Sequence, residues 1–404
     1  MVLPAPARAD RKRTTPSDVL SNPMDQQRKN TTERSVAWRT LATCAAMSSS
    51  SEYALPAPTT YHIDWYLVPG YAGDRFQVPC RVMHWLDRLA GTFTAMPRFY
   101  DPVFADGWGD QPTLSRLRNE AFEIAPIPDI DISWSAPVER HKVRLTRGTF
   151  PSPRAELLPP ASRLATALRV DPLVEPTSTC LLMASFNDHG YATRLNLATR
   201  LADHGIASII LENPYYGERR PSPGQPLRTV VDFFSMGASA VLEGRAILNI
   251  LKRELPTPIG VAGYSMGGNI AALVSATMSF PVATAGLAAS HSPGPVWTEG
   301  LLANAIAWDA LGGRQRSKEI AGVLGSASVL NFPPQPHSMT AVLAAPTDDG
   351  YIPKTAFEDL HKHWPGSELR WIGGGHASVL LWHKAELAQA IVDSFERLRS
   401  NSEL

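Results

Sequence analysis

From about residue 140 to the end, short apolar runs alternate with longer segments whose apolar residues recur at helical spacing. The runs are "KVRLTRGTF" (142–150), "TCLLMAS" (179–185), "ASIILE" (207–212), "PIGVAG" (258–263), "TAGLAAS" (284–290), "TAVLAAP" (340–346) and "ELRWI" (368–372). They read as strands. Helices are expected over a stretch ended by Gly205, over Thr229 to Lys252, over "SMGGNIAALVSATM" (265–278) and from about Ala377 to Arg399. Strands alternating with helices build a mostly parallel sheet covered on both faces, so the fold class is α/β. Residues 291–338 fall between two strands and carry Trp297, Leu301, Leu302, Ile306, Trp308 and Leu311, as a small cap insertion would. No internal repeat is visible.

Upstream the pattern changes. "RVMHWLDRLAGTFTAM" (81–96) places Val82, Trp85, Leu86, Leu89 and Ala90 on one helical stripe. Most such stripes pack on their own domain, which is the favoured reading; peripheral contact with a membrane surface is the other. Residues 48–78 are rich in Ser, Thr, Pro and Tyr and read as a linker. The division is therefore 1–79, a disordered or targeting extension, and 80–404, one folded domain. Leu255 to Thr298 contains no Asp, Glu, Lys or Arg. Prolines and a glycine cluster break it, so it reads as two buried strands around a buried helix rather than a membrane span.

Composition narrows the function. The 404 residues are 44% apolar and 19% charged, with a formal net charge of zero. That suits a globular chain with a real core and gives no reason to expect a nucleic-acid partner. Three scattered cysteines, Cys44, Cys80 and Cys180, make neither a disulfide framework nor a zinc site. No metal or cofactor is expected, and Cys180 reads as core. Residues 1–50 carry eight Lys/Arg against four Asp/Glu and are rich in Ser and Thr. That profile matches an organelle transit peptide, with mitochondria the expected destination and the cytoplasm the alternative.

The candidate chemistry centres on "GYSMG" (263–267), which fits G-x-S-x-G. The motif turns up in about one chain of this size in ten by composition alone, so its setting decides. Here an apolar strand precedes it and an apolar helix follows, the setting of a nucleophile elbow. Ser265 needs a base, and the base needs an orienting acid, in the chain order Ser, acid, His. Asp349 opens "DGYIP" after a strand, and His376 follows the last strand and three glycines. Asp348 is the rival acid. His361, His363 and His383 fall on expected helices and read as solvated. The developing oxyanion needs two N–H donors, expected from Met266 and from Phe186, with Asn187 the rival to the second.

"IILENPYYGERRP" (209–221), "AGYSMGGNIAAL" (262–273), "DGYIPKTAFEDLHKHWPGSELRWIGGGHAS" (349–378), "AIVDSFERL" (390–398) and "GWG" (107–109) together resemble the α/β-hydrolase domain-containing protein 18 family. The resemblance spans roughly residues 80–400, and ENPYYG is its most specific part. It implies an α/β-hydrolase fold with Ser265, Asp349 and His376 on the family's triad positions. Asp188 and His189 match its loop after the third strand, and Arg219 matches a basic position after ENPYYG. It also points to a mitochondrial lipid acyl-hydrolase. The span from Ala310 to Ser338 is shorter than in vertebrate-type members, which carry a polar insertion there.

The expected activity is serine-dependent cleavage of a carboxylic ester through an acyl-enzyme, with a lipid-like ester, a phospholipid among them, as substrate. Tyr215 and Tyr216 are candidates to line the substrate pocket or to fill a turn. Arg219 and Arg220 have forks suited to an anionic head group, although most such pairs are merely solvated. The alternatives are an acyltransferase and a non-catalytic binding member of the fold.

Overall fold

A computed structural model describes residues 83–94, 101–121 and 123–402. The expected stretches at 1–50 and 48–78 lie outside the described residues. Ten strands form one sheet: β1 (Ser133–Trp134), β2 (Val138–Arg140), β3 (Val143–Pro151), β4 (Leu164–Pro172), β5 (Ser178–Met183), β6 (Ile206–Leu211), β7 (Ile259–Tyr264), β8 (Ala283–Leu287), β9 (Val342–Pro346) and β10 (Glu368–Ile372). Their order is β1-β3-β4-β6-β5-β7-β8-β9-β10, with β2 also paired to β3. The strands from β6 to β10 run parallel, and β1 to β4 form an antiparallel edge.

Ten α-helices accompany the sheet among the described residues: α1 (Trp85–Thr94), α2 (Gln111–Glu120), α3 (Ala192–Asp203), α4 (Val230–Glu254), α5 (Met266–Ala276), α6 (Pro293–Thr298), α7 (Ser317–Gly325), α8 (Lys354–His363), α9 (His376–Trp382) and α10 (Lys384–Ser402). Every residue of β5 to β9 is buried, because helices cover both faces. The period of two sorts them. Cys180 and Leu182 meet α3 and α10 through Ala198, Leu201, Ile391 and Phe395. Leu181 and Met183 meet α4 and α5 through Ile247, Leu251, Ile270 and Val274. Burial accounts for the absence of charge between Leu255 and Thr298: that stretch holds β7, α5 and β8 at the centre of the sheet. Among the described residues, no helix is long and apolar enough to cross a membrane.

Two elements differ from the sequence reading. The single helix expected over 377–399 is broken at His383, whose Nδ1 pairs with Glu386 at 2.9 Å across the start of α10. α1 exists, but only part of its apolar stripe faces inward. Leu86, Asp87 and Gly91 are buried, while Trp85 and Leu89 are 56% and 38% exposed.

Segment 291–338 does form an apolar mass, but it is not alone. Residues 101–117 run across it: Val103 N–H donates to the Ala305 carbonyl at 2.8 Å, and Trp108 Nε1 donates to the Leu311 carbonyl at 3.3 Å. The "GWG" turn is left-handed at both Gly107 and Gly109 (φ 78° each). A Cβ on Gly107 would lie 2.7 Å from the Ala310 carbonyl oxygen, so glycine is required there.

Candidate active site

β7 ends at Tyr264, and the backbone reverses at Ser265 into α5. Ser265 has φ 58° and ψ −122°, a conformation that costs a non-glycine residue about 1–3 kcal/mol. Its N–H donates to the Leu287 carbonyl at 2.8 Å, and its carbonyl accepts Asn269 N–H at 3.1 Å. The flanking glycines answer to space. A Cβ at 263 would run into the backbone of Gly267, and one at 267 into the Met183 carbonyl. Only side-chain-free positions let α5 pack this close to β5 and β7, which leaves the serine on the outside of the turn.

The candidate acid and base meet at the carboxyl ends of β9 and β10. Asp349 Oδ2 accepts His376 Nδ1–H at 2.7 Å, while Asp349 Oδ1 accepts Tyr351 and Ile352 N–H at 2.8 and 2.9 Å. These two backbone bonds are the physical content of "DGYIP": the acid is clamped by its own turn. Asp348 instead accepts the Thr347 hydroxyl, so Asp349 is the acid beside the imidazole. The His376 ring lies 5.1 Å from that of Tyr264 and 5.0 Å from that of Tyr351. Tyr264 also donates its phenol proton to the His376 carbonyl at 2.6 Å. The residue before the candidate nucleophile is thus tied to the candidate base. Burial pulls the His376 imidazole down, but the Asp349 charge and hydrogen bond, helped by the Asp87 charge, outweigh it and raise its pKa.

A mostly apolar cleft opens beside the serine. Ser265, Met266, Phe186, Phe233, Trp297 and Ile352 are among its walls. Phe186 meets Trp297 edge to face at 5.1 Å, and Phe233 meets Trp297 at 5.9 Å. Among the described residues, neither the Phe186 N–H nor the Met266 N–H is donated to a protein acceptor. Two such donors beside one serine are what an oxyanion requires. The loop bearing Phe186 is fixed from behind. Arg194 pairs with Asp188 at 2.8 Å and donates to the Gly190 carbonyl, and Glu212 Oε1 accepts Gly190 N–H at 2.9 Å. Burial raises the Glu212 pKa, and the Gly190 hydrogen bond opposes that rise.

The substrate-binding expectations do not hold for three residues. Arg219 is fully buried and ion-paired to Glu243 at 2.6 Å. Its remaining donors go to the carbonyls of Glu212 and Ser162. No donor is left for a head group, because α4 lies over it. Tyr215 is 4% exposed and donates to Asp232 at 3.2 Å, and Tyr216 is fully buried with its ring 5.0 Å from that of His189. Both fill the packing around the cap rather than line the cleft. ENPYYG therefore serves as a buttress for the loop of Phe186: Glu212 holds Gly190, and Asn213 Nδ2 reaches the Ala184 carbonyl at 3.4 Å. The other histidines are half-buried and bonded, not solvated. His361 pairs with Ser367 at 2.9 Å, and His363 with the Phe332 carbonyl at 2.8 Å.

Sequence reasoning missed Phe233 as a cleft wall and Asp87 as a partner of His376. Asp87 left one trace, an acid beside the apolar stripe of an amphipathic helix.

The sequence model of the family described as alpha/beta hydrolase domain containing 18 matches residues 101–324 and 315–397 of this chain. Solved structures are similar at low identity. A cold-adapted esterase from an Arctic intertidal metagenomic library is 16% identical, with a TM-score of 0.44 over 66% of this chain and 99% of that one. The acetyl xylan esterase from Paenibacillus sp. R4 is 14% identical, with a TM-score of 0.49 over 72% and 96%. Acetyl xylan esterase 1 from Thermoanaerobacterium sp. JW/SL YS485 is also 14% identical, with a TM-score of 0.45 over 71% and 96%.

Proposed function

This chain belongs to the alpha/beta hydrolase domain containing 18 family, and from that premise we propose that it is a serine hydrolase that cleaves carboxylic esters with lipid-like acyl groups. The observation that carries this reading is the strained Ser265 at a glycine-flanked elbow, with an Asp349–His376 pair beside the preceding residue. In the reaction His376 Nε2 takes the Ser265 proton as Oγ attacks the ester carbonyl. Asp349 holds Nδ1–H and stabilises the imidazolium. The N–H groups of Phe186 and Met266 hold the oxyanion, and His376 returns the proton to the leaving alcohol; water, deprotonated by the same base, then attacks the acyl carbon, Ser265 Oγ leaves and regains the proton, and the acid is released.

The acyl assignment is supported by the cleft, whose walls are mainly Phe186, Phe233, Trp297, Val296, Leu302 and Ile352. Contact with an amphiphilic surface is supported by Trp85, Leu89, Leu381 and Trp382, all exposed on α1 and α9, with the rings of His84 and Trp382 6.3 Å apart. Arg219, buried and paired with Glu243, is not a head-group ligand in this reading.

The test is hydrolysis of p-nitrophenyl esters from acetyl to palmitoyl, with the acyl product identified at each pH. Since His376 must be neutral to act as base and its pKa is raised, activity is expected to be lost on the acid side. The midpoint is expected above the ordinary histidine value of about 6.5. Free acid is the expected product. Rates no higher than buffer would contradict hydrolysis; acyl groups recovered only on an added alcohol would make it an acyltransferase.

A further inference from the structure

On the reading of Ser265 as the nucleophile, we infer that Asp87 is a positioning residue for the triad: its carboxylate clips the loop carrying Asp349 to the helix that begins at His376. Asp87 projects from α1 and is fully buried. Its Oδ2 accepts Gly350 N–H at 2.9 Å and His376 N–H at 2.7 Å, and its Oδ1 accepts Ala377 N–H at 2.8 Å. Gly350 follows the acid, and His376 is the base itself. One carboxylate, far away along the chain, therefore fixes the backbone on both sides of the Asp349–His376 bond.

α9 cannot supply these bonds locally. Its N-cap is Gly375, which has no side chain, and the Ser378 hydroxyl is taken up by Gly375 N–H. The first two N–H groups of the helix go to Asp87. The fit is close: a Cβ on Gly375 would lie 2.5 Å from His84 Cβ and 2.6 Å from Asp87 Oδ2, and one on Gly350 would lie 2.9 Å from Met83. The two glycines are where α1 presses on the site. A buried carboxylate is costly unless its lone pairs are taken, and here three N–H donors take them, two at a helix start and one from the loop after Asp349.

Asparagine does not substitute. Its amide offers one oxygen, and its NH₂ would face an N–H donor on the other arm. Loss of the clip lets the imidazole drift, and a misplacement of about 1 Å costs on the order of 100-fold in rate. The ionisable groups facing the imidazole are Asp349, through Nδ1, and the phenols of Tyr264 and Tyr351, with Asp87 behind the His376 backbone.

The test compares the full chain with Asp87→Asn and Asp87→Glu, by fluorophosphonate labelling of Ser265 and by p-nitrophenyl acetate kinetics per titrated active site. Asp87→Asn is expected to lower kcat and the labelling rate by about 100-fold, with KM within about threefold. The acid limb of kcat/KM is expected to move to lower pH as the neighbouring charge is lost. Asp87→Glu keeps the charge on a longer arm and is expected to recover about tenfold of that loss. A role in folding alone would lower thermal stability but leave the rate per folded molecule and the acid limb unchanged; that result overturns the inference. If Asp87→Asn does not fold, Asp87→Glu decides: a loss of about tenfold supports the clip, and a wild-type rate overturns it. Absence of Ser265 labelling in the unsubstituted protein would instead overturn the serine reading.

Discussion

Ser265→Ala is expected to abolish fluorophosphonate labelling and to lower kcat/KM for a small ester by about 10⁵-fold while the protein stays folded. The size of the loss reflects how a nucleophile works within a unit: removing it alone costs about as much as removing the whole triad. The residual rate would come from the two free N–H groups of Phe186 and Met266, which still stabilise an oxyanion when water attacks. The fold survives because the Ser265 side chain makes none of the turn's backbone bonds; its N–H and carbonyl do. Ser265→Gly should lose activity equally yet gain stability, since glycine adopts φ 58° without strain. Kinetics and the midpoint of chemical denaturation, read together, check both. A Ser265→Ala protein with near wild-type turnover would remove the nucleophile from this account.

Arg219→Ala is expected to destabilise the protein by about 3–5 kcal/mol, because it strands the Glu243 carboxylate in the core without its cation. All five guanidinium N–H groups are used: two on Glu243, one on the Glu212 carbonyl and two on the Ser162 carbonyl. Glu243 also accepts the Ser152 hydroxyl at 2.5 Å. The loss would be a large share of an ordinary domain's stability of about 5–15 kcal/mol. Urea unfolding reads it as a lower midpoint. In the fraction that stays folded, KM for esters with and without an anionic head group should be unchanged relative to each other. A stable variant with weakened affinity only for anionic substrates would restore the head-group role that burial denies to this arginine.

Much of the scaffold was legible because burial writes itself into composition. β5 to β10 announce themselves as apolar runs, and "ELRWI" coincides with β10. β4 went unread, since Thr166, Arg169 and Asp171 interrupt its apolar positions at an antiparallel edge. The elbow was legible because close packing of α5 on β5 and β7 admits only glycine at 263 and 267. Asp349 was legible over Asp348 from its place in "DGYIP", a turn that needs the clamped carboxylate. Arg219 misled because a basic residue in a polar stretch looks solvated or ligand-facing, and its partner Glu243 lies in a helix that gives no local sign of pairing. Asp87 could not be assigned from sequence, as its partners are backbone N–H groups nearly three hundred residues away.

The central claim is that Ser265, His376 and two backbone donors act on one reacting carbon. A crystal structure of the fluorophosphonate adduct tests it most directly. The account expects phosphorus bonded to Ser265 Oγ, a phosphonyl oxygen within hydrogen-bond reach of both Phe186 and Met266 N–H, and His376 Nε2 turned to the Ser265 oxygen. An adduct on another residue, or a phosphonyl oxygen directed away from both N–H groups, would contradict it.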